Sequence, residues 1–152
     1  MLIGFLGTAV MLKPGTYLGF DFGMRYIGIA VGQSITLSAN PFTIIPAVDG
    51  IPDWLQIDAV LQQWQPLALV VGLPYDLAGG EQEISFAARK FAKRLQHRYQ
   101  LPIHLMDERL TTKAAKSELA QQPSGAKTNA RVDSVAAKII LESWLQQQDF
   151  ED

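Results

Sequence analysis

The sequence predicts an α/β domain: a mixed five-stranded sheet, three antiparallel strands followed by βα crossovers, with helices on both faces. Three observations carry this expectation. Ile27, Ile29 and Val31 alternate with Gly28, Ala30 and Gly32, a period of two with one bulky and one small face. "LALVVGL", Leu67–Leu73, is a continuous apolar run of the kind found in a strand buried on both sides. From residue 54 onward, stretches of helical period alternate with such strands.

The elements follow in order. Tyr17–Phe22 is rich in β formers, Gly23–Tyr26 supplies a turn, and Ile27–Gly32 returns. Thr36–Ile45 is a third strand, interrupted by Pro41. Trp54–Trp64 places Ile57, Val60, Leu61 and Trp64 at helical spacing. After Leu67–Leu73 and the loop "PYDLAGG", Gln82–Tyr99 is a long amphipathic helix with Ile84, Ala88, Phe91 and Leu95 on its core stripe. Pro102–Glu108 is the fifth strand and Thr112–Gln121 a short helix. "QQPSGAKTNAR" is a polar loop before a last helix, Val132–Gln147, with Val132, Val135, Ala136, Ile139, Ile140 and Trp144 facing inward.

The chain has 152 residues, 48% hydrophobic and 18% charged, which suits one folded domain, residues 17–148, and argues against disorder. There is no cysteine, so disulfides, thiolate zinc sites and cysteine nucleophiles are excluded, and a reducing cytoplasm is the expected location. With only two histidines, His97 and His104, any metal is expected on oxygen ligands, which favours magnesium or manganese. The formal charge of -2 suggests no nucleic-acid partner by itself; that needs a local basic patch. No apolar run approaches the roughly 20 residues of a membrane span. "MLIGFLGTAV" makes a poor signal peptide, lacking a leading Lys or Arg. Met11 reads as a natural start, or else residues 1–10 are a short arm; residues 1–16 are expected to be a flexible extension.

Chemistry concentrates in the acids. Asp21, in "GFDFGMRYIGIAVG", is one carboxylate in an apolar strand, and a charge there needs a partner or a metal. Open α/β sheets bind ligands at the carboxyl edge of their parallel strands, where Asp21 ends the first strand and "MDER" the last. Asp107 and Glu108 point to opposite faces, and periodicity does not choose between them. Asp133 sits in the first turn of the last helix, where it either joins the acids or only complements the helix dipole. Acids from separate elements that meet at one point suit a pair of hard cations about 4 Å apart, the arrangement for phosphodiester hydrolysis.

Four stretches in order, "GFDFGMRYIGIAVG", "VVGLPYDLAGGEQ", "MDERLTT" and "RVDSVAAKIILESW", together closely resemble the YqgF-type family of bacterial proteins, relatives of Holliday-junction resolvases. The resemblance covers about Tyr17 to Trp144. It implies a ribonuclease-H-like fold and a metal-dependent nuclease that processes the 5′ end of precursor 16S ribosomal RNA. It also implies catalytic, metal-binding roles for Asp21, Glu108 and Asp133, with one or two Mg2+ or Mn2+ ions, and so selects Glu108 over Asp107. The related junction resolvases carry a second aspartate three residues after the helical one; here that residue is Ala136, so three acids stand where four are usual. A Holliday-junction resolvase acting on DNA and a non-catalytic RNA-binding ribosome-assembly factor are the alternatives. The expected partners are precursor rRNA and ribosomal particles, with the protein a monomer or homodimer.

Two sets of cations are candidates for the nucleic acid. Arg25, Arg109, Lys113, Lys127 and Arg131 lie near the acids, and the loop with Lys127 and Arg131 is expected to order over the substrate backbone. Arg89, Lys90, Lys93, Arg94, His97 and Arg98 form a basic helix face, either a phosphate-binding surface or an ordinary solvated face. Gly72, Gly79 and Gly80 either serve turns or admit a close backbone. "DFG" is no protein kinase motif here, because no Gly-rich loop, strand lysine or HRD loop accompanies it. A similar hairpin in two-domain sugar kinases and Hsp70-type ATPases holds nucleotide phosphates, but this chain has room for one such domain.

Overall fold

A computed structural model describes residues 11–74, 83–108 and 129–150; for Arg131 and Asp133 it describes the backbone. The elements are β1 (Met11–Leu12), β2 (Thr16–Asp21), β3 (Tyr26–Gln33), β4 (Ser38–Val48), β5 (Ile51–Pro52), α1 (Trp54–Trp64), β6 (Ala68–Leu73), α2 (Glu83–Tyr99), β7 (Ile103–Asp107), α3 (Asn129–Gln146) and β8 (Asp149–Phe150). The main sheet has six strands in the order β5-β4-β3-β2-β6-β7. β2, β3 and β4 are antiparallel neighbours, and β2, β6 and β7 run parallel. This is the expected mixed α/β sheet with one strand more than the expected five.

The extra strand has a local cause. Asp49 and Gly50 take φ of 51° and 80°, and Val48 pairs with Ile51 across them. Two positive φ values in a two-residue loop make the turn that suits the twist of a hairpin, and Asp-Gly is its sequence signal. The same turn extends β4 to Val48, beyond the expected end at Ile45. Pro41 fits within β4 because the register slips there: Ile29 pairs with Thr43 and Ala30 with Pro41, leaving Phe42 as the extra residue of a bulge.

The segment before β2 departs from expectation. Residues 11–16 are part of the fold rather than a flexible extension. β1 pairs with β8, and Leu12 is 2% exposed. The buried Ser34 hydroxyl donates to the Lys13 carbonyl and accepts from the Gly15 N–H, at 3.0 and 2.9 Å.

The two faces of the sheet bury different things. On one face Leu18, Phe20, Ile27, Ile29, Leu69 and Val71 meet α1 and α2 through Ile57, Leu61, Ala88, Phe91 and Leu95. On the other face, among the described residues, α3 packs through Ala137, Ile140, Leu141, Trp144 and Leu145 onto Tyr17, Ala30, Ala68, Val70 and Met106. Here the small residues matter. A Cβ on Gly19 would stand 2.6 Å from Leu141 Cβ and 3.1 Å from the Ala137 carbonyl oxygen, and one on Gly32 would stand 2.8 Å from Leu141. The small face of the hairpin thus admits a close-packed helix. Helix α1 runs over the expected Trp54–Trp64, started by Asp53, whose carboxylate accepts from the Leu55 N–H at 3.0 Å.

Candidate active site

The site is built on the α3 face, at the carboxyl end of the parallel strands. Phe20 pairs with Val71, so the next step brings Asp21 beside Gly72, and Gly72 pairs with Met106. Val70 and Met106 belong to the α3 core, which fixes Gly72 on that face by alternation. Tyr17 and Gly19 also face α3, and Asp21, two residues on, continues their row.

Asp107 pairs with Leu73, which belongs to the α1/α2 core, so Asp107 points to the far face. Glu108 turns back to the α3 side. Its Oε2 lies 2.9 Å from the position a Cβ on Gly72 would take, and Ile140 of α3 approaches the same position at 2.5 Å. Gly72 is therefore the gap through which the Glu108 carboxylate leans across β6 toward the β2 end. A side chain there would occupy the space that the carboxylate uses. Gly72 serves this approach rather than a turn; Gly79 and Gly80 lie outside the described residues.

Helix α3 runs antiparallel to β2. Trp144 meets Tyr17, with ring centroids 5.9 Å apart, and Ala137 and Leu141 meet Gly19. Four residues beyond Ala137 along this line is Asp133, a step of about 6 Å. Two residues beyond Gly19 is Asp21, a step of about 6.6 Å. The backbone of Asp133 is thus level with Asp21. Helix α3 begins at Asn129, three residues before the expected Val132, so Asp133 is its fifth residue and not in the first turn. An N-terminal dipole role is correspondingly weaker, since that effect falls off within the first turn. Ala136 lies one turn before Ile140, the residue against Gly72.

Burial and, secondarily, the charge of Asp107 push the Glu108 carboxyl up to about 7. An ionised carboxylate in that place gains from a nearby positive charge. The donors are all oxygen, the chemistry of Mg2+ or Mn2+ rather than zinc. Among the described side chains no group of three potential ligands is assembled; the described part of the site supplies two acids. His104 is no ligand candidate. It is stacked on Trp144 with centroids 4.8 Å apart, and burial lowers its pKa.

Of the cations expected near the acids, Arg25 is exposed in the β2–β3 turn, where its carbonyl accepts from the Ala47 N–H at 2.7 Å. Arg131 lies in α3 and not in the preceding loop, which is shorter than expected by Asn129, Ala130 and Arg131. Arg109, Lys113 and Lys127 lie outside the described residues, as does the expected helix Thr112–Gln121.

This mixed sheet with helices on both faces is similar in fold to solved junction resolvases. The structure is similar to Thermus thermophilus RuvC in complex with a Holliday junction substrate, with a TM-score of 0.55 and 14% identity over 87% of this chain and 95% of that one. It is also similar to the yeast mitochondrial Holliday junction resolvase Ydc2, with a TM-score of 0.54 and 10% identity over 91% of this chain and 81% of that one. Sequence is more specific. The RuvX family, described as Holliday junction resolvase, matches residues 15–147, and the chain belongs to that family. A Coxiella burnetii relative is 52% identical over 131 residues, 86% of this chain and 92% of its own length. A Legionella pneumophila relative is 52% identical over 139 residues, 91% of this chain and all of its own length. Both carry the name "Putative pre-16S rRNA nuclease".

Proposed function

We propose that the protein is a metal-dependent nuclease that hydrolyses phosphodiester bonds in RNA, processing the 5′ end of precursor 16S rRNA in the cytoplasm. The observation that carries this reading is the Glu108 carboxylate leaning over Gly72 toward the strand end that bears Asp21. The names of the Coxiella and Legionella relatives support the choice of substrate.

Asp21 and Glu108 hold one or two Mg2+ or Mn2+ ions, with Asp133 as third ligand from α3. Bound there, the cation supplies water activation and charge stabilisation at the leaving oxygen. Asp21 contributes a carboxylate fixed by the β2–β3 and β2–β6 pairings. Glu108 contributes one that is more readily ionised when a cation is present, since the opposite charge favours its ionised form. Close packing of α3 on Gly19 and Gly32 supports this role for Asp133, which belongs to the same helix. Arg25, Arg109, Lys113, Lys127 and Arg131 neutralise substrate phosphates.

The test is cleavage of three substrates, a precursor-16S 5′ leader, an unrelated single-stranded RNA and a four-way DNA junction, each with Mg2+ or Mn2+. The leader is expected to be cut only with metal. Asp21→Asn should reduce the rate by about a hundredfold or more while leaving RNA binding intact. Unchanged cleavage by Asp21→Asn contradicts the mechanism. The family's description as Holliday junction resolvase favours one second reading, and cutting of the junction but not the leader would establish it. RNA binding without cleavage of any substrate would instead establish an assembly factor.

A further inference from the structure

Five of the 13 Lys and Arg residues fall between Arg89 and Arg98, and no acid lies between Glu83 and Asp107, in a chain of net charge -2. The structure shows what this cluster faces. Ala88, Phe91 and Leu95 turn α2 inward onto the α1/α2 core. Lys90, Lys93, Arg94, His97 and Arg98 turn outward and, with Trp54 at the start of α1, line a cavity of about 370 Å³. An adjoining depression of about 520 Å³ shares Lys93 and His97 and runs along Gln96, Gln100, Leu101 and Pro102. The two make one groove across the outer face of α2.

One wall of this groove is fixed. Arg98 donates from Nε and Nη2 to the two oxygens of Asp58, each at 2.8 Å, and its guanidinium lies 5.3 Å from the centre of the Trp54 ring. The Asp58 carboxylate also accepts from the Tyr99 hydroxyl at 2.6 Å. Arg98 is thereby neutralised and held in place. The Trp54 ring is partnered by Arg98 and by Phe91, which stacks on it at 22°. Among the described residues, Lys90, Lys93 and Arg94 have no carboxylate partner.

We propose that this groove binds the phosphate backbone of a nucleic-acid strand, without reading its bases, as a second docking site on the opposite face of the sheet from Asp21 and Glu108. Ammonium groups act as point charges toward phosphates, and the groove's elongated shape suits a chain of them rather than a single ion. With Trp54 already partnered, charge is the recognition chemistry the groove offers. The far end of the groove, Leu101–Pro102, leads directly into β7, the edge strand. β7 ends at Asp107, next to Glu108, about 17 Å away for five strand residues. A strand leaving the groove therefore reaches the carboxylates along the sheet edge. The choice of nucleic acid as the polyanion rests on the nuclease reading; the groove and its charge do not.

The test is binding of the full chain to a mixed-sequence single-stranded RNA and to its scrambled counterpart, by fluorescence anisotropy with EDTA present, across a salt series. K90A/K93A/R94A is expected to weaken both RNAs equally, by about tenfold or more, and to make the slope of log K against log salt shallower by about 2. K90R/K93R/R94K, which keeps the charge, is expected to retain affinity and slope. These side chains lie outside the core, so an unchanged melting transition verifies the fold of each variant. Unchanged affinity and slope in the alanine variant would overturn the proposal, as would loss of binding in the charge-preserving variant or discrimination between the two RNA sequences by the wild type. Because no metal is present, the result is independent of cleavage, and a failed carboxylate mechanism would not alter it.

Discussion

The two faces of the sheet use the same strands for opposite ends. On the α1/α2 side, bulky Phe20, Ile27, Ile29 and Leu69 meet Phe91, whose ring lies within 6.0 Å of the Phe20, Phe22 and Trp54 rings, centre to centre. That side gains its stability from volume. On the α3 side, Gly19, Gly32 and Gly72 remove volume, so that one helix lies against the strand backbones and one carboxylate leans across a strand. Alternation along a strand therefore separates stabilising from positioning roles, residue by residue.

Substitutions on the two faces should break this comparison in opposite ways. Phe91→Ala, at a fully buried site, should cost about 3–5 kcal/mol in denaturant unfolding. It should leave Mn2+ affinity near wild type wherever the protein is folded. Gly19→Val should cost less, about 1–3 kcal/mol, because a Cβ there must displace Leu141 and the Ala137 carbonyl. By lifting α3 it should nevertheless lose most of the Mn2+ affinity. If the larger stability loss also carried the larger loss of metal binding, the division between faces would be wrong.

A smaller effect sharpens the same point through pH. The Glu108 carboxyl is raised from 4.5 to about 7 in the fold. A raised carboxyl binds its proton more tightly folded than unfolded. Its contribution is then fully present below about pH 4.5 and is lost as pH rises through about 7. Metal-free protein should lose stability over that window, and Glu108→Gln should flatten the loss. Mg2+ should restore stability on the alkaline side, since it favours the ionised form. An identical pH profile in wild type and Glu108→Gln would remove the electrostatic argument for the site.

Much of this was legible in the sequence for physical reasons. The alternation of Ile27, Ile29 and Val31 with Gly28, Ala30 and Gly32 shows a face made for close packing, and α3 occupies it. Asp21, one acid in an apolar stretch of sequence, marks the carboxyl edge of the sheet. What stayed hidden depends on contacts between distant segments. β5 is two residues long, too short for a period, although Asp49-Gly50 signals its turn. Residues 11–16 join the fold through Ser34 and β8, which local composition does not report. Gly72 looks like any strand glycine until Glu108 and Ile140 are seen against it. The choice between Asp107 and Glu108 needs the register of β7 on β6, because alternation alone allows either. The basic stripe of α2 was visible, but its wall of Trp54 comes from another helix.

The most direct test is a crystal soaked in Mn2+ and measured for anomalous scattering. The account predicts a peak at the carboxyl end of β2, within coordination distance of the Asp21 and Glu108 carboxylates and of Asp133 from α3, and no peak there in Glu108→Gln. A peak that excludes Asp21 and Glu108, or an unaltered peak in the variant, would contradict it.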